Sequence, residues 1–140
     1  MSYIVQEESL NRKETLTMEL KILDNKLKVI KLKPNETVPE IVYKQEFYSI
    51  TKTDEELSIV VDEDVNILSN VVEYNWKAIK IVGTLDFSLI GILSKISTIL
   101  AQAEISIYAI STYNTDYILV KDDKLEKTTK VLEQNGYKFI

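Results

Sequence analysis

The chain has 140 residues, a length that fits one domain or two very small ones that share a core. It contains no cysteine and no histidine, which excludes disulfides, thiolate nucleophiles and sulfur-ligated zinc and removes the usual general base near neutral pH. The net charge is −5 and Arg12 is the single arginine, so neither nucleic-acid binding nor capture of a phosphate by a buried guanidinium is expected.

Membrane segments and metal sites are not expected either. No apolar run approaches the ~18 residues of a membrane span, and Met1–Glu8 lacks the basic start and long apolar stretch of a secretory signal. The acidic clusters Asp54–Glu56 and Asp62–Asp64 lack the alternating ligands and central glycine of a calcium loop. We therefore expect a cytoplasmic protein without catalytic residues, metal or cofactor.

The first half is predicted to contain two hairpins separated by a short helix. Alternating apolar residues and turn residues predict the following elements: a hairpin of Met18–Leu23 and Lys26–Leu32 around Asp24-Asn25, one or two helical turns within Glu36–Val42, a hairpin of Phe47–Ile50 and Leu57–Val61, and a degenerate helix with a linker over Asp64–Tyr74.

The second half has clearer signals. The predicted elements are a strand over Lys77–Val82, a helix over Leu89–Ala103, a strand over Ile105–Thr112, a turn at Tyr113-Asn114, a strand over Tyr117–Val120, a helix from Asp122 or Asp123 to the stop at Asn135-Gly136, and a last short strand over Tyr137–Ile140. This β-α-β-β-α-β order is the ferredoxin-like arrangement, in which right-handed crossovers place both helices on one face of the sheet.

The strand Ile105–Thr112 is apolar on both of its faces. Ile105, Ile107 and Ala109 point one way, whereas Tyr108 and Ile110 point the other. A sheet that is apolar on both faces needs a cover on each. The second cover is therefore another domain, another protomer or a ligand, and we expect a two-fold homodimer. Trp76 is expected to pack at the seam between the two halves.

The two halves also resemble each other weakly. Ile50–Glu63 overlays Ile110–Asp123 at an offset of 60 residues, and Ile30–Leu32 overlays Ile79–Ile81 at an offset of 49. The difference corresponds to about three helical turns that are missing from the first helix. The pattern predicts an internal repeat whose first copy is shortened.

Three stretches carry a resemblance to a known family: GTLDFSLIGIL from Gly83 to Leu93, AEISIYAISTYNTDYILV from Ala103 to Val120, and the helix Leu125–Gly136. Together they resemble the ACT domain, specifically the small tandem ACT proteins related to the regulatory part of lysine-sensitive aspartokinases and to the CASTOR arginine sensors. One departure is Glu104, which stands where many ACT domains carry a glycine.

The resemblance implies an α+β, ferredoxin-like βαββαβ fold used in pairs, with small ligands, often amino acids, bound at ACT–ACT interfaces. It implies a regulatory role, with a separate regulated protein as a partner. We therefore expect two tandem ACT-like units, a degenerate one over residues 14–72 and an ACT domain over residues 73–140. A structural or interaction module of the same fold without a ligand is the alternative. An enzyme is disfavoured, because Arg12 lies outside every loop that could hold phosphate.

The expected ligand site lies between the Leu85–Gly91 loop and the Ile110–Asp116 hairpin of a facing unit. Free N–H groups at a helix start suit a carboxylate, aspartates suit an ammonium, and a glycine leaves room for a ligand. Helix capping, close packing and ordinary turn chemistry are the competing explanations for the same residues. The predicted ligand-binding residues are Asp86, Phe87, Ser88, Leu89, Gly91, Ile110, Ser111, Thr112, Asn114, Thr115 and Asp116.

Overall fold

Eight strands form one continuous sheet in the computed structural model, which describes residues 18–82 and 91–140. The strands and helices are, in chain order, β1 Glu19–Ile22, β2 Leu27–Leu32, α1 Glu40–Tyr43, β3 Ser49–Lys52, β4 Leu57–Asp62, β5 Val72–Ile81, α2 Ile92–Gln102, β6 Tyr108–Ser111, β7 Asp116–Lys121, α3 Leu125–Gln134 and β8 Lys138–Phe139. A 3-10 turn at Asp122–Lys124 leads into α3.

The strand β5 belongs to two smaller sheets. Its first part pairs with β2, β2 pairs with β4, and β4 pairs with β3. Its second part pairs with β1 on one edge and with β7 on the other edge, and β7 pairs in turn with β6. The mixed α+β, ferredoxin-type fold is confirmed. The predicted unit boundary at residues 72 and 73 falls inside β5 and stays a prediction.

The predicted hairpin around Asp24-Asn25 is wrong. Both β1 and β2 run antiparallel to β5 along the same edge, with Ile22 opposite Ile79 and Leu27 opposite Trp76. They therefore lie end to end along β5, separated by a bulge, and we call the two strands together the β1–β2 line. Alternation and turn residues look alike at a hairpin and at a bulge, so the sequence could not separate the two.

Both helices of the second half lie on one face of the sheet, as predicted. Side chains of α2 and α3 pack there against strands β1, β5 and β7. We call this set the second-half core; its buried members are Leu20, Ile79, Ile81, Ile96, Leu100, Ile105, Ile118, Val120 and Leu132. A separate first-half core surrounds α1 and consists of Ile30, Leu32, Val42, Leu57, Ile59, Val61 and Val65.

A third cluster joins the halves across the opposite face of the sheet. This seam cluster contains the buried residues Leu27, Val60, Trp76, Ala78 and Leu119, with Leu23, Val29, Phe47, Tyr108, Ile110 and Tyr117 packed against it. The burial of Trp76 between residues of both halves confirms its predicted place. The cover that Tyr108 and Ile110 need is thus supplied by the first half of the same chain.

The sheet must fold back on itself to form this seam. Strands β4 and β6 are four steps apart in hydrogen-bonding order, which would separate them by ~19 Å in a flat sheet. Yet Ser58 Oγ on β4 and Tyr108 Oη on β6 lie 3.4 Å apart. The rings of Phe47 and Tyr117 also meet across the seam, with centroids 5.1 Å apart. The two halves therefore pack face to face.

Two hairpin turns have matching hydrogen bonds, as the predicted internal repeat requires. Thr53 N–H donates to Glu56 O at 2.9 Å, and Thr112 N–H donates to Thr115 O at 2.8 Å. The strand pairs that flank them, Lys52 with Leu57 and Ser111 with Asp116, are offset by 59 residues. The predicted offset of 60 is therefore wrong by one, a slip that would reverse every side chain.

Helix boundaries differ from the prediction at the start of α2. The helix begins at Ile92, because Gly91 has φ +84° and cannot be a helical residue. Leu89 lies outside the described residues. Glu104 adopts φ 60° after the helix, which explains why a glycine suits this position in related sequences. The segment Asp64–Tyr74 contains no helix among the described residues, and its last three residues belong to β5.

We predict that both halves unfold in one transition, because they share β5 and the seam cluster. Replacing the fully buried Leu119 by alanine should lower the free energy of unfolding by about 2–5 kcal/mol. Urea unfolding followed by circular dichroism, and by nuclear magnetic resonance signals from each half, measures this. Leu68→Ala is the control, since Leu68 is 98% exposed and should change stability by less than about 0.5 kcal/mol. Separate transitions for the two halves would contradict the prediction.

Candidate functional site

The turn between β6 and β7 is closed by two threonines. Thr112 donates from both its backbone N–H and its hydroxyl to Thr115 O, each at 2.8 Å. The N–H of Thr115 donates back to Thr112 Oγ1 at 3.2 Å. Hydroxyl groups that bond to nearby backbone are a common means of fixing turns. The tip of the hairpin therefore has a defined shape without a ligand.

Thr115 also ties the hairpin to the end of β5. Its side chain is buried, and its hydroxyl donates to Ile81 O at 2.6 Å. Ile81 is the last residue of β5 and precedes the predicted ligand loop by a few residues. The bond holds one predicted site element against the start of the other. Thr115 thus has a positioning role in the structure, and its hydroxyl is already engaged.

Asp116 and Ser111 are the polar pair at the mouth of this hairpin. They lie directly opposite each other on β7 and β6. Because side chains alternate along a strand and Ile118 belongs to the second-half core, both point to the face that carries the helices. Asp116 is partly buried and Ser111 is exposed. A carboxylate beside a hydroxyl at this edge can accept hydrogen bonds from a ligand ammonium.

The other predicted site residues fall into three groups. Ile110 packs into the seam cluster on the opposite face, so it is separated from Ser111 and Asp116. Asn114 is exposed at the tip of the turn. Asp86, Phe87, Ser88 and Leu89 lie outside the described residues.

Gly91 is the residue before α2, and its C=O accepts a hydrogen bond from Lys95 N–H at 2.8 Å. A Cβ built on Gly91 would meet no described atom within 4 Å. Close packing on a strand therefore does not explain this glycine, and its positive φ does.

A cavity of about 450 Å³ in the first half was not foreseen from the sequence. It is lined by residues 21–25 and Leu27 of the β1–β2 line, by residues 44–47 after α1, and by Asp62. The sequence gives no signal for it, because the cavity depends on β1 and β2 forming one line, where a hairpin was predicted.

Within residues 18–82 and 91–140, no group of three acidic side chains is arranged to hold a metal ion. No helix there has the length and apolarity needed to cross a membrane. Burial raises the pKa of Tyr137 above its usual 10.0, so its phenol stays neutral at physiological pH.

Comparisons with known families match both halves of the chain. Residues 71–134 match the family model of the ACT domain. Residues 25–68 match a second model, which is described as an N-terminal domain.

Among curated proteins, human cytosolic arginine sensor for mTORC1 subunit 1 is 31% identical over 96 residues. The match covers 63% of this chain and 29% of that protein, so the chain spans less than a third of its curated relatives. The same sensor from Bos taurus matches equally.

Solved structures agree with the fold. Protein Atu0741 from Agobacterium tumefaciens superimposes with a TM-score of 0.82 at 33% identity, over 89% of this chain and 92% of that one. Aspartate kinase from Clostridium acetobutylicum gives a TM-score of 0.59 at 17% identity, over 82% of this chain and 34% of the kinase. At that identity the kinase likeness shows the fold alone.

We predict that the Thr115 hydroxyl stabilises the hairpin against β5. Thr115→Val keeps the shape but leaves Ile81 O without its buried donor, which should cost about 1–3 kcal/mol of unfolding free energy. Thr115→Ser keeps the donor and is the matched control. Urea unfolding of the two variants measures the difference. Equal stability of the valine and serine variants would show that the hydroxyl contributes nothing.

Proposed function

We propose that this chain, whose residues 71–134 match the ACT domain family model, is a regulatory protein that senses a small amino acid at an ACT–ACT interface. The proposed site lies between the Leu85–Gly91 loop and the Ile110–Asp116 hairpin of a facing unit.

The observation that carries the proposal is the polar pair Asp116 and Ser111, which a fixed hairpin holds at the end of β5. Asp116 and Ser111 share the helix-bearing face there, and Thr115 holds the hairpin to Ile81. A preformed turn loses little conformational entropy when a ligand binds. A carboxylate in such a place supports binding of an ammonium or guanidinium group.

The charge of the chain favours a neutral or basic amino acid over an acidic one. The net charge is −5, and the two aspartates of the proposed site, Asp86 and Asp116, would repel a second ligand carboxylate. The α-carboxylate would then be held by backbone N–H groups at the start of α2. The human relative is named as an arginine sensor, which agrees with this class of ligand.

Four further expectations belong to the same proposal. The protein acts without catalysis and without a cofactor, because it regulates another protein. It works in the cytoplasm, as the name of its human relative says of that protein. It forms a homodimer in which the facing unit completes the site. Tyr108 and Ile110 are covered within one chain, so an open apolar face no longer supports a dimer. The proposal of a dimer rests on the facing unit that the ligand site requires.

The alternative is an interaction module of the same fold without a ligand. It is favoured by the threonine bonds, which explain the shape of the hairpin without any bound molecule. Ligand binding separates the two functions.

We predict that at least one neutral or basic amino acid raises the melting temperature of the protein. At a ligand concentration 100 times its Kd the gain is ~2.7 kcal/mol, or roughly 5–10 °C for a chain of this size. A thermal-shift screen of the twenty amino acids measures it. If none shifts the melting curve, the interaction module is the better description.

We predict that Asp116→Ala lowers the affinity for that amino acid by about 2 kcal/mol, or roughly 30-fold, because it removes the partner of a partly desolvated cation. Asp54→Ala is the matched control, since Asp54 lies in the equivalent turn of the first half and is exposed. Isothermal titration of both variants measures the change. Unchanged binding in both Asp116→Ala and Asp86→Ala would show that the site is wrong.

We predict a dimer in solution at about 50 µM protein. Light scattering coupled to size exclusion measures the mass. A monomer at this concentration, with or without the amino acid found in the screen, would contradict the proposal of a facing unit.

A further inference from the structure

The line formed by β1 and β2 has an open stretch on its outer edge. Strand β8 pairs with Glu19 and Leu20, and β4 pairs with Leu27–Leu32. Between these two neighbours, no strand of the described residues pairs with the outer edge of residues 21–25, whereas Lys26 O accepts from Glu63 N–H at 2.9 Å. This gap spans five residues, two of which, Asp24 and Asn25, form a bend.

The direction of the backbone groups in the gap follows from the bonds on either side. Glu19 O accepts from Val82, and Leu23 N–H donates to Ala78 O, so these residues bond inward to β5. Leu20 O accepts from Ile140 N–H and bonds outward. Since backbone groups alternate along a strand, Ile22 directs its N–H and C=O outward, into the gap. Within residues 18–82 and 91–140 no strand pairs with this side of Ile22, so these groups can pair with another extended chain.

The cavity of about 450 Å³ lies against this open edge. Its volume is in the range that binds small molecules. Leu23, Leu27 and Phe47 form an apolar part of the wall, because all three also belong to the seam cluster. An apolar side chain could therefore be buried there.

Charges of both signs surround the same cavity. Lys21 and Lys44 supply two ammonium groups, and Asp24, Glu46 and Asp62 supply three carboxylates. The two described salt bridges of the chain join other pairs, Lys26 with Asp122 and Lys121 with Glu73. The rim can thus meet both termini of a zwitterion, with a carboxylate near the lysines and an ammonium near the acids.

We propose that this cavity binds a short zwitterionic peptide of two or three residues with an apolar side chain. The peptide adds to the sheet as an extended strand in the gap between β8 and β4. Its backbone pairs with Ile22, as in other cases of strand addition to a sheet edge. Its side chain packs on Leu23, Leu27 and Phe47. This second site is distinct from the hairpin of the proposed function and does not depend on it.

The test uses the full chain labelled with ¹⁵N and titrated with the tripeptide Ala-Leu-Ala at millimolar concentration. We expect shifts of the amide signals of Ile22 and of residues 45–47, and slower hydrogen exchange at Ile22 N–H, because it becomes a donor. Free leucine should bind at least about fivefold more weakly, since it cannot pair along the edge. Equal binding of leucine would overturn the strand addition.

A matched pair of lysine variants tests the rim. Lys44→Glu should raise the Kd of Ala-Leu-Ala about fivefold, whereas Lys31→Glu, an exposed lysine of β2 outside the cavity, should leave it unchanged. Asp116→Ala should also leave peptide binding unchanged, which separates this proposal from the amino-acid site. Absence of any shift within residues 21–25 would overturn the proposal and leave Lys21 and Lys44 as charges that protect a sheet edge.

Discussion

The double use of β5 is the constraint on which the rest of the structure depends. One strand of ten residues has to pair with β2 over its first part and with β1 and β7 over its second. The bulge between β1 and β2 lies beside the change of partner. It lets the sheet bend, and the bend brings the two halves face to face around the seam cluster. Without this bend, Tyr108 and Ile110 would lie on an open apolar face.

The same constraint places the polar hairpin. Because β7 pairs along the second part of β5, the β6–β7 turn is carried to the point where β5 ends. The Thr115 hydroxyl then reaches Ile81 O. The corresponding turn of the first half has the same backbone bonds but a glutamate, Glu56, where Thr115 stands. The two turns thus have the same backbone geometry, and the second turn adds the buried bond from Thr115 to β5.

Much of this fold could be predicted from the sequence, because the period of apolar residues reports directly on local structure. The helix stripe around Ile96 and Leu100 and the strand Tyr117–Val120 are of this kind. The Asp24-Asn25 bulge has the sequence of a hairpin turn, and that sequence does not determine the direction in which the chain leaves the turn. The sequence also does not fix the offset of the repeat to the residue, because the apolar residues of both hairpins run consecutively, as in Ile59–Val61, and do not show which face each one occupies.

The candidate site could be predicted only in part. Turn residues mark the hairpin, and the family resemblance marks the loop before Gly91. The buried bond of Thr115 and the separation of Ile110 from Asp116 depend on strand register, which the sequence pattern does not give. The cavity beside β1 could not be predicted at all. It lies beside the gap between β8 and β4, and these two strands are far apart in the chain.

Trp76 gives the molecule an internal optical probe of the bend. It is the single tryptophan of the chain, and its ring lies in the seam, 6.1 Å from the ring of Tyr108 and 4.8 Å from the ammonium of Lys121. The indole N–H is buried without a partner among the described residues. Indole emission depends on the local electric field and on access of water. A tilt of one half against the other would therefore change the wavelength and the intensity of the Trp76 emission, and no added label is needed to observe it.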